Sequence, residues 1–288
     1  MVEFEVPEID YDQYSNRQLA AVPLAVLAVA IAVLVGTYLL TGSPVALGIE
    51  FTGGSQLTVE TTMSQSEIGS AFSPRPVSVQ GVGGQADTYV LTFDAAASNV
   101  TALRTQAEAA GMTVLGSGET PASFGQQSQR IALLGLVVAF VGMSILAFAL
   151  FRSFVPSIAI VVSAFSDIVI PLAILSLVQV KLSLGTVAAF LMLIGYSVDS
   201  DILLNNHILR RRGGFYESTH AAMRTGVSMT LTSIAAMTVM AVMATFYNID
   251  LMAQIGLVLV LGLTTDLMNT YMLNLSLLRW YKFEGVGR

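Results

Sequence analysis

The amino-acid sequence predicts a membrane all-α bundle of six transmembrane helices with a small α+β domain inserted outside the cytoplasm. The first observation is composition: the 288 residues are 54% hydrophobic and 11% charged, with a mean hydropathy of +0.72. Soluble domains carry about 25% charged residues. The second is that six apolar segments reach the roughly 20 residues that a membrane-spanning helix needs. The third is a polar, patterned stretch, residues 42–130, between the first two of these segments.

The six spans divide the chain into its predicted domains. The spans are Leu19–Leu40, Ile131–Phe151, Ser153–Val180, Leu182–Leu209, Thr225–Asn248 and Leu251–Leu278. The domains are an acidic tail over residues 1–18, a first helix over 19–41, an outer domain over 42–130, five more helices over 131–280 and a short tail over 281–288.

The distribution of Lys and Arg predicts the orientation, because cytoplasmic loops are rich in these residues. Nine of the 13 lie on the side that carries both termini, and four lie on the other side. We therefore expect a multi-pass protein of the plasma membrane with both termini in the cytoplasm and the outer domain outside.

The outer stretch contains strand-like alternation and two helix signals. Strands are predicted at Ser55–Thr61, Val77–Val82, Tyr89–Phe93 and Met112–Gly116, and helices at Ser64–Phe72 and Ser98–Ala110. Ser64 and Glu67 have the spacing of a capping box. The order β-α-β-β-α-β is that of a ferredoxin-like fold.

Ionisable side chains inside spans are unfavourable, and each therefore indicates a functional site. Four carboxylates meet this description: Asp167, Asp199, Asp201 and Asp266. Asp199 and Asp201 are separated by about 200° around a helix, so they point to different faces unless Gly195 and Ser197 make the helix irregular. Asp201 shares a face with Ser197 and Asn205, which predicts a polar track along the fourth span.

The other two aspartates leave two interpretations open. Pro171 removes the helical partner of the Asp167 carbonyl, so we expect a kink there and a free carbonyl beside a carboxylate, as an ion or water site. Alternatively, Asp167 only caps a kink, and Asp266 with Asn269 only bonds neighbouring helices together.

Several chemistries are not expected. The chain has no cysteine and only two histidines, so no disulfide, zinc site or other cofactor is predicted. It has no P-loop, nucleophile elbow or zinc-protease motif, which argues against an enzyme; an intramembrane aspartyl protease is the enzyme alternative. Nucleic acid is not an expected partner, because 19 acidic residues outnumber 13 basic ones. This acidic surplus fits a salt-adapted organism.

Two motifs indicate a family. Gly48-Ile-Glu-Phe-Thr-Gly-Gly-Ser55 follows the first span, with signature residues Gly48, Phe51, Thr52, Gly53 and Gly54. Gly195-Tyr-Ser-Val-Asp-Ser-Asp201 lies in the fourth span, with signature residues Gly195, Tyr196 and Ser197. Together with the six-span layout, they resemble the SecF branch, archaeal type, of the SecD/SecF protein-export membrane proteins in the resistance–nodulation–division superfamily.

The chain departs from the bacterial form of this family, in which the important membrane aspartate follows an asparagine. Here the aligned pair is Asp199-Ser200, so the acid has moved to a flanking position. Bacterial members carry an arginine in the fifth span where this chain has Ser228, with Arg224 one turn earlier. We expect Asp199, and after it Asp201, to be the ion-coupling residue, with Ser228 or Arg224 as a partner.

The resemblance implies a SecF-like subunit of the Sec protein translocation machinery. Such a subunit acts with a SecD homologue and the SecYE translocon on unfolded polypeptides, surrounded by membrane lipid. It assists export or membrane insertion by using the transmembrane gradient of H⁺ or Na⁺. Two alternatives stay open: a passive assembly subunit that stabilises the translocon, and a small-molecule exporter of the same superfamily.

Overall fold

The computed structural model describes residues 11–83, 85, 87–95, 99–210 and 214–284. Within these residues, six helices are long and apolar enough to cross a membrane, as predicted. In chain order the helices are α1 (Asn16–Thr41), α2 (Ile49–Thr52), α3 (Gln65–Ser70), α4 (Val100–Ala109), α5 (Ala122–Phe151), α6 (Phe154–Leu177), α7 (Leu184–Arg210), α8 (Phe215–Phe246), α9 (Asp250–Met268) and α10 (Leu275–Phe283). A π-helical segment, Asn269–Asn274, joins α9 to α10 inside the last span.

The outer domain contains one antiparallel sheet. Its strands are β1 (Gly54–Glu60), β2 (Ser78–Gly81), β3 (Thr88–Asp94) and β4 (Thr113–Thr120), arranged in the order β2-β3-β1-β4. With α3 and α4, they follow one another along the chain as β-α-β-β-α-β, the predicted order. One face of the sheet forms a small core with both helices, and its members include Leu57, Val59, Ile68, Leu91, Phe93 and Leu103.

The membrane bundle is built around α6. Of its most apolar window, 67% is buried, against 11% for α5 and for α8. This difference makes α6 a central helix and leaves α5 and α8 with broad faces toward lipid or toward a partner. α7 and α9 pack against α6 through a shared apolar core that includes Ile160, Leu193, Val258 and Leu263.

Two helices and one strand extend beyond the predicted segments. α5 begins at Ala122 rather than at residue 131, and α8 begins at Phe215 rather than at residue 225. In both helices the first turns are polar, so apolar length alone misses them although the backbone is already helical. The last strand also continues to Thr120, beyond the predicted Gly116.

Other findings concern local backbone. Pro171 lies inside α6, which is helical from Phe154 to Leu177 on both sides of it, so the kink expected there stays a prediction. α7 is likewise continuous through Gly195 and Ser197, so the irregularity considered there is absent. The irregular turn is instead the π-helical segment of the last span, which the sequence analysis did not predict.

Both ends of the described chain lie on the side of the bundle opposite the sheet. Arg279 of α10 donates from Nη1 to the carbonyls of Tyr11 and Tyr14, over 2.9 and 2.8 Å. The predicted acidic tail falls mostly on residues 1–10, and two of the basic residues between α7 and α8 fall on residues 211–213; these two ranges lie outside the described residues.

Candidate functional site

Asp167 on α6 is completely buried and receives a hydrogen bond on each carboxylate oxygen. The Ser197 hydroxyl of α7 donates to Oδ2 over 2.6 Å. The Asn269 amide of the π-helical segment donates to Oδ1 over 2.6 Å. This carboxylate therefore joins α6 to two neighbouring spans.

Asp201 on α7 is also completely buried, but its two oxygens differ. Oδ1 accepts from Thr270 Oγ1 over 2.9 Å and from Asn274 Nδ2 over 2.8 Å. Oδ2 has no hydrogen-bond partner among the described residues. One oxygen of Asp201 is thus saturated with donors, and the other is open.

Asp266 on α9 is 1% exposed and shares a donor with Asp201. The Ser200 hydroxyl of α7 lies 2.9 and 3.0 Å from its two oxygens. Thr270 Oγ1 lies 3.3 Å from Asp266 Oδ1 as well as 2.9 Å from Asp201 Oδ1. A hydroxyl has a single hydrogen to donate, so Thr270 can serve Asp201 or Asp266, but not both at once.

These three residues, Asp167, Asp201 and Asp266, form what we call the carboxylate cluster. No Lys or Arg of the described chain makes a salt bridge to any of them. If ionised, Asp167, Asp201 and Asp266 would carry charges of the same sign and would disfavour one another's charged form. A buried charge without an opposite charge is strongly unfavourable. The cluster therefore needs bound protons or a cation to balance it.

Further buried oxygens line the same spans without a hydrogen-bond partner among the described residues. They are Ser163 Oγ, Ser166 Oγ, Asn205 Oδ1, Asn269 Oδ1 and Asn274 Oδ1. Buried polar atoms are normally paired, so this part of the bundle offers acceptors to a hydrated proton or a cation. No group of three or more His, Cys, Asp or Glu in the described chain is arranged to hold a metal ion.

Asp199 lies outside the carboxylate cluster. It is exposed on the opposite side of α7 from Asp201, as the helical spacing predicts. Asp199 and the exposed Tyr196 line a cleft of about 400 Å³ between α7 and α8, together with Met229 and Ser233. The structure thus separates the two aspartates that the sequence analysis considered together.

On α8, the Ser228 hydroxyl bonds its own helix rather than Asp199. Ser228 donates its hydroxyl to the Arg224 carbonyl within its own helix, over 2.8 Å. The Arg224 side chain is exposed at the start of the span. Asn205 is completely buried on the Asp201 side of α7 and donates to the Pro156 carbonyl of α6 over 3.3 Å.

Sequence reasoning missed Thr270, Asn274 and Ser163. A signal existed for the first two: Asp266, Thr270 and Asn274 recur at intervals of four residues along the last span. That spacing places polar groups on one helix face. Ser163 had no such signal, because a lone serine in an apolar helix is common.

Comparisons with known proteins match this layout. Residues 101–284 match the family model described as protein export membrane protein SecD/SecF, C-terminal, and residues 38–65 match that of the SecD/SecF GG motif. The chain is 64% identical over 288 residues to the protein-export membrane protein SecF of Haloferax volcanii, covering 100% of both. It is 40% identical over 282 residues to the SecF of Methanolacinia petrolearia, covering 96% of this chain and 97% of that one.

A solved structure shares the fold. The crystal structure of SecDF, a translocon-associated membrane protein from Thermus thermophilus, superposes with a TM-score of 0.71 at 17% sequence identity. The match covers 96% of this chain but only 39% of that protein. This chain therefore corresponds in fold to a part of the longer SecDF polypeptide.

Proposed function

The chain belongs to the SecF family of protein-export membrane proteins, and we propose that it acts with a SecD homologue to assist protein export or membrane insertion by using the transmembrane ion gradient. The observation that carries the proposal is the carboxylate cluster, which is buried among three spans without a cationic partner in the described chain. Moving one charge through a membrane potential releases about 2.3 kcal/mol per 100 mV. A buried group that gains and loses a cation can use that energy.

The cluster has two properties that suit this role. Most of its donors come from a different span than the carboxylate that they bond, so a change of charge alters bonds between helices. Loading or releasing a cation can then shift a two-state helix packing. Thr270 offers the two bonding arrangements, because it can donate to either of two carboxylates.

We propose Asp201 as the group that exchanges the coupling ion, H⁺ or Na⁺. Its Oδ2 is the carboxylate oxygen of the cluster that lacks a donor in the described chain. Asp167 has a donor on each oxygen, and both oxygens of Asp266 lie within 3.0 Å of the Ser200 hydroxyl, which can donate its single hydrogen to either of them. This assignment moves the coupling role from Asp199, the first candidate from sequence, to the residue two positions later.

The SecD homologue is proposed to cover the exposed face of α7 and α8. Asp199 lies on that face within a membrane span, where a carboxylate in contact with lipid is unfavourable. A partner subunit that supplies polar or cationic side chains removes this penalty. The SecYE translocon and emerging polypeptides are further proposed partners, with both termini of this chain in the cytoplasm.

The outer domain is proposed to be a ferredoxin-like unit that contacts the polypeptide outside the membrane. Its antiparallel order β2-β3-β1-β4, with two helices on one face, supports this assignment. No enzymatic activity is part of the proposal.

Export of a secreted reporter, in cells whose only SecF carries Asp201→Asn, tests the proposal. We expect export to fall toward the level of cells without SecF, because the amide keeps the shape of the side chain but cannot carry a charge. Thr264→Val is a matched control, since Thr264 is exposed and its hydroxyl donates to the Val260 carbonyl of its own helix. Normal export by Asp201→Asn at matched membrane levels would favour the passive assembly subunit instead.

A further inference from the structure

The glycine-containing motif after the first span takes no part in the carboxylate cluster, yet the outer domain joins the bundle through it. We infer that residues 47–54, here called the clamp, lock the outer domain to α5 and to the turn between α6 and α7. Through the clamp, a rearrangement of α6 and α7 would move the outer domain. The transmission part of this role rests on the proposed function, whereas the rigid attachment does not.

The first attachment is to the α6–α7 turn. Leu182 donates its backbone N–H to the Ala46 carbonyl, and Gly48 donates to the Leu182 carbonyl, each over 2.8 Å. These bonds form a short parallel bridge between Leu47 and Leu182. The Glu50 carboxylate accepts from the backbone N–H of Leu184, at the first residue of α7. The clamp therefore holds the turn that connects the helix of Asp167 to the helix of Asp201.

The second attachment is to the first turns of α5. Gln129 donates from Nε2 to the Phe51 carbonyl over 2.7 Å. Gly125 lies directly beneath that carbonyl, because a Cβ on Gly125 would lie 2.7 Å from the same oxygen. Phe51 itself is 3% exposed, so the clamp packs into the joint rather than crossing it as a loose linker.

Each of the two consecutive glycines, Gly53 and Gly54, is required for a different structural reason. Gly53 has a φ of +79°, and a Cβ there would lie 2.8 Å from the Cα of Ala122 at the start of α5. Gly54 has a φ of +149°, and a Cβ there would collide with the Phe93 carbonyl of β3. One glycine thus permits contact with the bundle, and the next permits entry into the sheet.

The clamp leads directly into the sheet. Gly54 is the first residue of β1, which pairs with β3 on one side and with β4 on the other. A strand paired on both sides passes a displacement to the whole sheet. On the far side, the β2–β3 turn meets the α8–α9 turn, where Gly83 leaves no space for a side chain against Tyr247.

Spin-label distance measurements on the full chain in lipid nanodiscs test the attachment. The chain has no cysteine, so Thr101→Cys on α4 and Val242→Cys on α8 give two unique, exposed labels. We expect a narrow distance distribution that broadens in Gly125→Ala. Gly135→Ala, on the same helix with nothing within 4 Å of its Cβ position, should leave it narrow.

A second pair of variants tests the attachment independently, because Gly125→Ala could fail to fold. Gln129→Leu removes one hydrogen bond to the clamp, and Gln127→Leu changes an exposed neighbour. Broadening by Gln129→Leu and not by Gln127→Leu, with a parallel loss of reporter export, supports the inference. An unchanged distribution in both clamp variants overturns the attachment, and broadening with normal export overturns the transmission. The spin-label distances do not depend on the export assay of Asp201→Asn. The attachment can therefore be confirmed even if Asp201 proves not to couple the ion.

Discussion

At the scale of single residues, Thr270 is the most informative side chain of the site. Its one hydroxyl lies within hydrogen-bond distance of Asp201, Asp266 and Ser200. Valine has nearly the same shape but no hydroxyl, so Thr270→Val removes the shared donor with little change in packing. Removing a donor from a buried acceptor costs about 1–3 kcal/mol in water-soluble proteins, and interhelical bonds in membranes average about 0.6 kcal/mol.

We therefore expect Thr270→Val to lower the free energy of unfolding by about 0.6–2 kcal/mol and to reduce export. Chemical unfolding in detergent micelles measures the first effect, and reporter export the second. Thr264→Val, on the same span but with its hydroxyl donated to the Val260 carbonyl of its own helix, should leave both near wild type. If Thr270→Val and Thr264→Val had the same unfolding free energy and the same export, Thr270 would not stabilise the contact between the helices that carry Asp201 and Asp266.

The buried face of α7 could be predicted from the sequence, but the residues on other helices that contact this face could not. The helical spacing of Ser197, Asp201 and Asn205 predicts one face, and all three are completely buried. Which of the two neighbouring aspartates faces inward could not be predicted, because that depends on where α6 and α9 pack. The placing of Asp199 on the outer side is therefore a result of tertiary structure.

At the scale of elements, the π-helical segment explains what periodicity could not. It carries Asn269, Thr270 and Asn274, which donate to Asp167 and Asp201. A π turn widens the helix by one residue and is frequent at functional sites. A π turn changes which side chains share a helix face, and no simple sequence pattern predicts such a turn. A regular α-helix is therefore the expectation for this apolar span.

Close packing of α8 against α9 depends on a glycine. A Cβ on Gly256 of α9 would lie 2.8 Å from the Cβ of Ala241 and 3.1 Å from its backbone Cα and N. Backbone atoms cannot move aside as a flexible side chain can, so Gly256→Ala should push the two helices apart. Overpacking of this kind typically costs about 1–3 kcal/mol.

The unfolding midpoint of purified protein in detergent checks this expectation for Gly256→Ala. Gly142→Ala is the matched control, because a Cβ at Gly142 of α5 has nothing within 4 Å. The control should keep the wild-type midpoint. A wild-type midpoint for Gly256→Ala as well would show that α8 and α9 pack less tightly than the structure indicates.

At the scale of the whole molecule, the architecture was largely predictable, because six long apolar runs and one polar insertion admit few arrangements. The segments that were not predicted are short or polar. The four-residue α2 lies within residues 47–54, which pack on the bundle, and it is too short to have a periodic apolar pattern. The polar first turns of α5 and α8 are helical outside any apolar window.

The exposed face of α7 is expected to contact the SecD homologue. Cysteines replacing Tyr196 or Leu203, which line the cleft beside Asp199, should crosslink to SecD in native membranes. Leu133→Cys is a control, since Leu133 is 65% exposed on the peripheral helix α5. Crosslinks from position 133 without any from the α7 face would place the partner elsewhere.

Gradient-controlled translocation into membrane vesicles tests most directly whether the buried carboxylate cluster couples an ion gradient to export. Vesicles with SecF and its partners would be loaded with a stalled translocating polypeptide, and an ion gradient of H⁺ or of Na⁺ would then be imposed. We predict that one of the gradients accelerates completion of translocation in the wild type and has no effect in Asp201→Asn. An equal acceleration in the wild type and in Asp201→Asn would contradict the account.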